Sequence, residues 1–518
     1  IARSGGGTLN TLTLYDGTTG ASIDMAARAV AGEGYQPMAP TPEVVYSASP
    51  YADGARPVAS RAGNVVETVT VDLQGTSVDD VFAQLAALHR LLYNARDYYE
   101  MPGRRSPCYM MYQPDGMTNA VYATIAGGVV ENSPDINEAA STEQFILTGV
   151  RVTLEREPYY RETPPVRDDN YCKVSVINTD PPAGRNADRF GTFTLDGTTY
   201  PTVPGHVPAL AEVQYYDVDA GHSYSNVIIA YRSAARFPAP ANYPDGFFPG
   251  GVIEAEGASA LSGFAVSATS PTTKSGGSSL LLTLAGATGS GSFELRRGTA
   301  YSKLLAGRYR VFARMKTTAS VSASITLTLY NLSKVMETPA VTFANVAWTM
   351  VDLGIINAYA LAPASLGEPT AGYYTYPLQN ITASISCTGG PGTLDIDCFV
   401  LMPVDEYYLT LTGATADYPL IVRTRASTIE PAGFSHPALM LSQYMATNDI
   451  ITGERYLSNT PPIPSNGVGT GALYLPPGAG TLTYLVTGTN WSSEYSATQF
   501  AHLSLYRVAR YFTARGAG

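Results

Sequence analysis

At 518 residues the chain is too long for a single hydrophobic core, and its length corresponds to roughly three or four domains. Only 14% of its residues are charged, against about 25% in ordinary globular chains, so hydroxyls and backbone must make much of the polar surface. A net charge of -11 and a pI near 5.0 argue against a nucleic-acid surface of clustered Lys and Arg, no long apolar run offers a membrane span, and four scattered cysteines without a CxxC argue against zinc or iron–sulfur ligation.

The chain opens IARSGGGTLN, without an initiator Met or a charged-then-apolar leader, which reads as a processed or renumbered start. Residues 8 to 60 read as a strand, LNTLTLYDG, followed by an irregular Pro-rich arm through GEGYQPMAPTPE. In NVVETVTVDLQG, Val65, Val69, Val71 and Leu73 share one face and Val66, Thr68, Thr70 and Asp72 the other, the period-2 pattern of a half-buried strand. Ser77 with Asp80 three residues later resembles a capping box, and Asp79 and Asp80 suit the positive end of a helix dipole. Val81, Leu85, Leu88 and Leu92, flanked by Val78, Phe82 and Ala95, then predict a helix lying on a sheet. Two strand-like runs follow, Tyr109 to Tyr112 and Ala120 to Glu131, with DGMT as the turn between them, and the segment closes on TGVRVTLEREPYYRE before the proline run ETPPV.

From Tyr171 short strands alternate with Gly, Pro, Asn and Asp clusters, as at the start of a β-sandwich, until FPAPANYPDGFFPGG breaks the pattern as a linker. Residues 252 to 405 carry a self-contained pattern, from VIEAEGAS through KSGGSSLLLTL, LLAGRYRVFARMK and VAWTMVDLGII to GTLDIDCFVLMPVDE, which resembles the jelly-roll sandwich of carbohydrate-binding modules. Within it Tyr309, Val311 and Ala313 alternate with Arg308, Arg310, Phe312 and Arg314, predicting a strand with one dry and one mixed face. TGSGSFEL reads as a glycine-rich turn running into a strand, and TGGPG as a turn between Cys387 and Cys398, with free buried thiols expected. Strands resume after Glu406 and end on GALYLPPGAGTLTYLVTG and AHLSLYRVARYF. We therefore expect residues 170–250 and 406–518 to form one sandwich interrupted by the jelly roll, an insertion that an exposed loop tolerates.

The composition is that of β-rich virion, pilus or secreted proteins. VETVTVDLQG, LAALHRLLYNARDYY, MTNAVYATIAGGVVE and VTLEREPYY, in that order and spacing, resemble the N-terminal domain of tail proteins of long-tailed bacteriophages, especially the distal tail protein, over roughly residues 8 to 161. This resemblance implies a mainly β, multidomain chain: an N-terminal α+β tail-ring domain (1–165), the first part of a β-sandwich (166–250), the inserted jelly roll (251–405) and the C-terminal sandwich part (406–518). It further implies a structural virion protein at the tail tip or baseplate, a homo-oligomeric, hexameric ring, assembled in the host cytoplasm. Its partners would be the tail tube protein, tail hub or tip proteins and host surface glycans, and the irregular arm would wrap a neighbouring subunit. The alternatives are a secreted or cell-surface carbohydrate-binding protein, or another minor tail or hub protein.

No catalytic constellation is expected. The five histidines, His89, His206, His222, His436 and His502, never fall at a metal-ligand spacing, and the chain holds no GxSxG elbow, P-loop or HExxH. The best acidic signals are Glu254 with Glu256 and Asp395 with Asp397, each pair spaced to place both carboxylates on one side of a strand, whose plain reading is solvated alternation. The jelly-roll resemblance implies instead that Glu254 and Glu256, with Asp395 or Asp397, hold a structural calcium ion. It also implies a buried Trp348, and leaves Tyr373, Tyr374 and Tyr376 of GYYTYP as candidate glycan platforms, a cluster equally suited to a protein interface.

Overall fold

The strand Val65–Gly75 alternates buried and outward side chains along its length, and the helix Val78–Glu100 follows it directly. The Asp80 amide donates to Ser77 Oγ (3.1 Å) while the Asp80 carboxylate accepts from the Thr76 amide (3.1 Å), so the reciprocal cap forms with the return bond one residue early. Val81, Leu88, Leu92 and Ala95 are buried against the sheet, but Val78 and Phe82 are exposed. The buried arc is rotated toward Leu91 and Tyr98, the flank on which Asn94 donates to Asp16, the residue just after the first strand (2.8 Å).

These elements belong to a computed structural model that describes residues 11–28, 35, 37–48, 55–100, 107–114, 116–131, 145–165, 174–178, 190–217, 226–235, 247–269, 274–295, 303–304, 307–331, 334–358, 380–412, 420–424, 441–446, 455–458, 474–487 and 501–513. The described chain is mainly β and multidomain, and nearly every strand pairing is antiparallel. None of its helices is long and apolar enough to cross a membrane.

In the N-terminal domain Thr11–Tyr15, Tyr109–Gln113 and Val121–Val130 pair in turn, and Phe145–Arg156 pairs with both Val121–Val130 and Val65–Gly75. Position 67 of the period-2 strand lies on its buried face and is a glutamate. Glu67 accepts from Arg156 Nη2 (2.7 Å), from the Met38 amide (2.8 Å) and from Tyr35 Oη (2.5 Å), and Arg156 also donates to the Met38 carbonyl (2.8 Å) and lies over the Tyr160 ring. A buried ion pair thus holds two residues of the arm against the sheet.

The short strand Tyr160–Arg161 pairs with Ala501–Tyr511, which pairs onward with Val207–Asp217, so one 14-stranded sheet passes from the first domain into the second. Ala509 and Tyr511 lie in the core of the first domain and Leu505 in that of the second. The second sheet of the middle sandwich interleaves Phe190–Leu195, Gly480–Thr487, Asn226–Ser233 and Tyr407–Thr412. Strands from both sides of the intervening residues therefore share two sheets.

The jelly roll has two six-stranded sheets, one centred on Gly392–Pro403 and the other on Asn380–Thr388, enclosing a core that includes Phe293, Val311, Leu327 and Phe399. Three sequence expectations change here. TGSGSFEL is strand throughout (Thr288–Leu295), because each of its residues pairs with Asn380–Thr388. TGGPG does not close a hairpin: Asn380–Thr388 and Gly392–Pro403 belong to opposite sheets, so the turn crosses the sandwich. Cys108, Cys387 and Cys398 are buried and form no disulfide with one another, whereas Cys172 lies outside the described residues. The mixed face of Arg308–Thr317 is covered rather than solvated, since Phe312 packs with Cys398, Val400 and Met402 against Phe190, Ile228, Ala230 and Leu485 of the middle sandwich. Polar bonds fix the same junction: Arg232 donates to Tyr309 Oη, and the Ser233 amide (2.5 Å) and hydroxyl (2.8 Å) donate to Glu406.

Candidate functional site at the jelly-roll junction

Two strands lie end to end along one edge of Gly392–Pro403. Gly251–Glu254 pairs with it as far as Cys398, and Ser279–Leu284 pairs from Ile396 onward, which leaves Asp397 opposite the gap. On the other edge the register slips between Arg314, opposite Cys398, and Met315, opposite Ile396, so Asp397 is the extra residue of a β-bulge. The bulge keeps Asp395 and Asp397 on one face, where they meet Lys316 and Arg314 of the neighbouring strand, and shifts the alternation after them. Asp397 accepts from Arg314 Nη1 (2.5 Å) and from the Ser275 amide (2.9 Å), and Arg314 lies over the Trp348 ring (4.7 Å to its centre). Asp395 is half-buried, accepts from Ser279 Oγ (3.0 Å) and faces Lys316 Nζ at 3.6 Å. Burial lifts the Asp397 carboxyl to about 6 against the pull of Arg314.

Glu254 and Glu256 converge on the turn at Ser275 and Gly276. Ser275 Oγ donates to Glu254 Oε1 (2.6 Å). Glu256 is not on the strand but in the 3-10 turn Ala255–Gly257 that ends it, which folds its carboxylate back over the turn. Gly276 has φ +61, a conformation that favours glycine, and the space a Cβ would take there is held by Glu256 Oε1, with Glu254 Oε2 at 3.4 Å. Glu256 Oε2 is buried without a hydrogen-bond partner, and burial raises this carboxyl. Lys274, next in the turn, is spent on the Ser267 carbonyl (2.8 Å).

Of the four acids, two are thus satisfied by protein cations and donors and two converge around a glycine cradle. Among the described residues no group of three or more His, Cys, Asp or Glu is placed to hold a metal ion. An orphaned carboxylate oxygen and the cradle fit a cation at Glu254 and Glu256, with further oxygens supplied by backbone or water. Asp395 and Asp397 do not fit it, because their oxygens are already bonded.

Beside this turn a cavity of about 460 Å³ opens between the two domains. Phe190, Thr192 and Thr194 line it from the middle sandwich, and Phe248, Glu254 and Ser275 from the jelly-roll side. The period-2 turn-out of Phe190–Leu195 creates the middle-sandwich wall: Leu195 faces its own core and Phe193 packs against it, while Thr192 and Thr194 are exposed on the opposite face. No sequence signal marked it, since its walls lie some sixty positions apart and neither carries a motif.

Tyr373, Tyr374 and Tyr376 lie outside the described residues, as do His222, His436 and Trp491. Trp348 is buried, and His89 and His206 are exposed.

No protein-family model matches the chain, and no curated protein matches it. Among solved structures the chain is similar to TmCBM61 in complex with beta-1,4-galactotriose, at 18% identity over 28% of this chain and 86% of that one (TM-score 0.19). It is similar to the Dit protein (gp 19.1) of SPP1, titled a paradigm of the hub adsorption apparatus in Gram-positive infecting phages, at 10% identity over 76% of this chain and 100% of that one (TM-score 0.21). It is also similar to the phage P2 baseplate in its activated conformation with Ca, at 8% identity over 75% and 98% (TM-score 0.19). TM-scores this low transfer no residue role, and none is taken from them.

Proposed function

We propose that the chain is a structural virion protein of a long-tailed phage, a distal-tail-like component that closes into a six-membered ring between the tail tube and the tail tip. The observation that carries this reading is the order of the N-terminal elements, a period-2 strand, a capped helix on a sheet, and the closing strand of VTLEREPYY, in the sequence pattern of that family. The anchored arm supports it as well. A ring needs a head-to-tail contact that closes, and a segment fixed at Tyr35 and Met38 by the Glu67–Arg156 pair has a defined root from which to reach a neighbour.

On this reading the protein works by assembly and attachment rather than catalysis, and the jelly roll contacts host surface glycans weakly, gaining from several copies per ring. Glu254 and Glu256 would hold a structural calcium ion, whose charge would compensate the buried carboxylates.

Electron microscopy of the purified full-length protein, alone and with its tail tube protein, tests the assembly reading. Six-fold rings with peripheral lobes support it. Monomers that stay monomeric with the tube protein present refute it and favour a secreted carbohydrate-binding protein.

A further inference from the structure

On the jelly-roll face that carries Arg310, Phe312 and Arg314, Phe312 is packed against the middle sandwich. Beside this contact lies the cavity of about 460 Å³, within the ~300–1,000 Å³ of small-ligand sites. Its walls are chemically divided. Phe190, Phe248 and their neighbours supply apolar surface, while Thr192, Thr194 and Ser275 supply hydroxyls and Glu254 a carboxylate. Among the described residues, none of those lining it is Lys, Arg or His. An anionic ligand would therefore meet a carboxylate without a compensating cation. A flat apolar ligand would leave the hydroxyl wall unmatched. A ring with an apolar C–H face and a rim of hydroxyls satisfies both walls at once, its hydroxyls donating to Glu254 and exchanging bonds with the threonines. The mouth opens past Thr192 and Thr194, both exposed, so the terminal unit of a longer chain can enter.

We infer that this interdomain cavity is a binding site for a neutral hexopyranose unit, made jointly by the middle sandwich and the jelly roll. The inference builds on the glycan-contact part of the proposed function but assigns the contact to a site that neither domain possesses alone. It does not depend on ring formation.

The test is saturation-transfer NMR on the full-length protein with glucose, galactose and N-acetylglucosamine as neutral probes and glucosamine as a cationic one, with calcium present throughout. The expected result is transfer to at least one neutral hexose, weakened at least tenfold in affinity by Thr194→Trp, which fills the mouth from an exposed position. Thr194→Val, which removes one hydroxyl and little else, should weaken binding by a few-fold, and Ser386→Trp, on the exposed face of the other jelly-roll sheet, should leave it unchanged. No transfer to any neutral hexose, binding of glucosamine alone, or neutral binding that survives both Thr194 variants would overturn the inference. Survival of binding in those variants would leave glycan contact standing at another surface. A loss of rings with hexose binding intact would refute the assembly reading alone.

Discussion

Replacing Glu67 by Gln keeps the size of the side chain and an acceptor oxygen, and removes one charge from a pair whose two side chains are both fully buried. The amide oxygen can still accept from Arg156 and from the Met38 amide, and the amide nitrogen can donate to Tyr35 if that hydroxyl turns to Tyr160, 2.8 Å away. The geometry survives, so the loss isolates the charge: Arg156 is left as a buried guanidinium without a counter-ion. Breaking a buried pair in this way costs about 3–5 kcal/mol, and the retained hydrogen bonds place Glu67→Gln near the lower end. For a domain of this size that lowers the melting point by about 6–12 °C, at roughly 2–4 °C per kcal/mol. Both tryptophans, Trp348 and Trp491, lie outside the N-terminal domain, so its melting must be followed by calorimetry or near-ultraviolet tyrosine dichroism rather than tryptophan fluorescence. Trypsin cleavage at Arg28 should accelerate as the arm is released from Glu67. Adding Arg156→Met should restore much of the lost stability, because it removes the buried guanidinium that had lost its counter-ion. A change under about 1 kcal/mol, or a double variant no more stable than Glu67→Gln, would refute the argument that this ion pair anchors the arm.

Calcium should raise the melting point of the jelly roll and EDTA reverse the rise, an effect that Glu256→Gln abolishes; an equal rise in that variant would remove Glu256 from the site. Asp397 has its folded carboxyl near 6, above about 3.9 in the unfolded chain, so the folded state holds a proton the unfolded state has lost. That stabilisation is complete below about pH 4, is lost as pH rises through 6, and amounts to about 3 kcal/mol. Calorimetry in EDTA between pH 4 and 7 should show wild type losing that much more stability across the window than Asp397→Asn, and parallel curves would refute the assignment. Tyr511→Ala should weaken the N-terminal domain by about 3–5 kcal/mol, as expected for a large buried ring; an unmoved N-terminal transition would show that this distant strand is dispensable to its core.

Local pattern made the strand Val65–Gly75 and its helix legible, because period and capping act within a few residues. The same alternation placed Glu67 on the buried face, but nothing nearby revealed Arg156 as its partner 89 positions away. The alternation along Arg308–Thr317 gave a mixed face, but not its partner, because the sheet that Phe312 packs against is assembled from residues on both sides of the jelly roll in sequence. The acids divided for two reasons that spacing alone does not carry: Arg314 and Lys316 of a neighbouring strand engage Asp397 and Asp395, and a 3-10 turn stands at Glu256 in place of continued strand. Gly276 was visible only as one glycine of KSGGSS, and its need for positive φ beside two carboxylates emerges only with the turn in place.

The strand Ala501–Tyr511 completes a domain begun hundreds of residues earlier, and Arg507 clasps Glu162 across a separation of 345 positions at 2.6 and 2.8 Å. On the ribosome, at about 5–20 residues per second, the first domain therefore waits on the order of tens of seconds with an edge unpaired and part of its core uncovered. A chain that stops early never supplies Ala509 and Tyr511. Prematurely ended products would thus lack a finished first domain, and admission to an assembly built on that domain would be restricted to chains whose translation had run past residue 511.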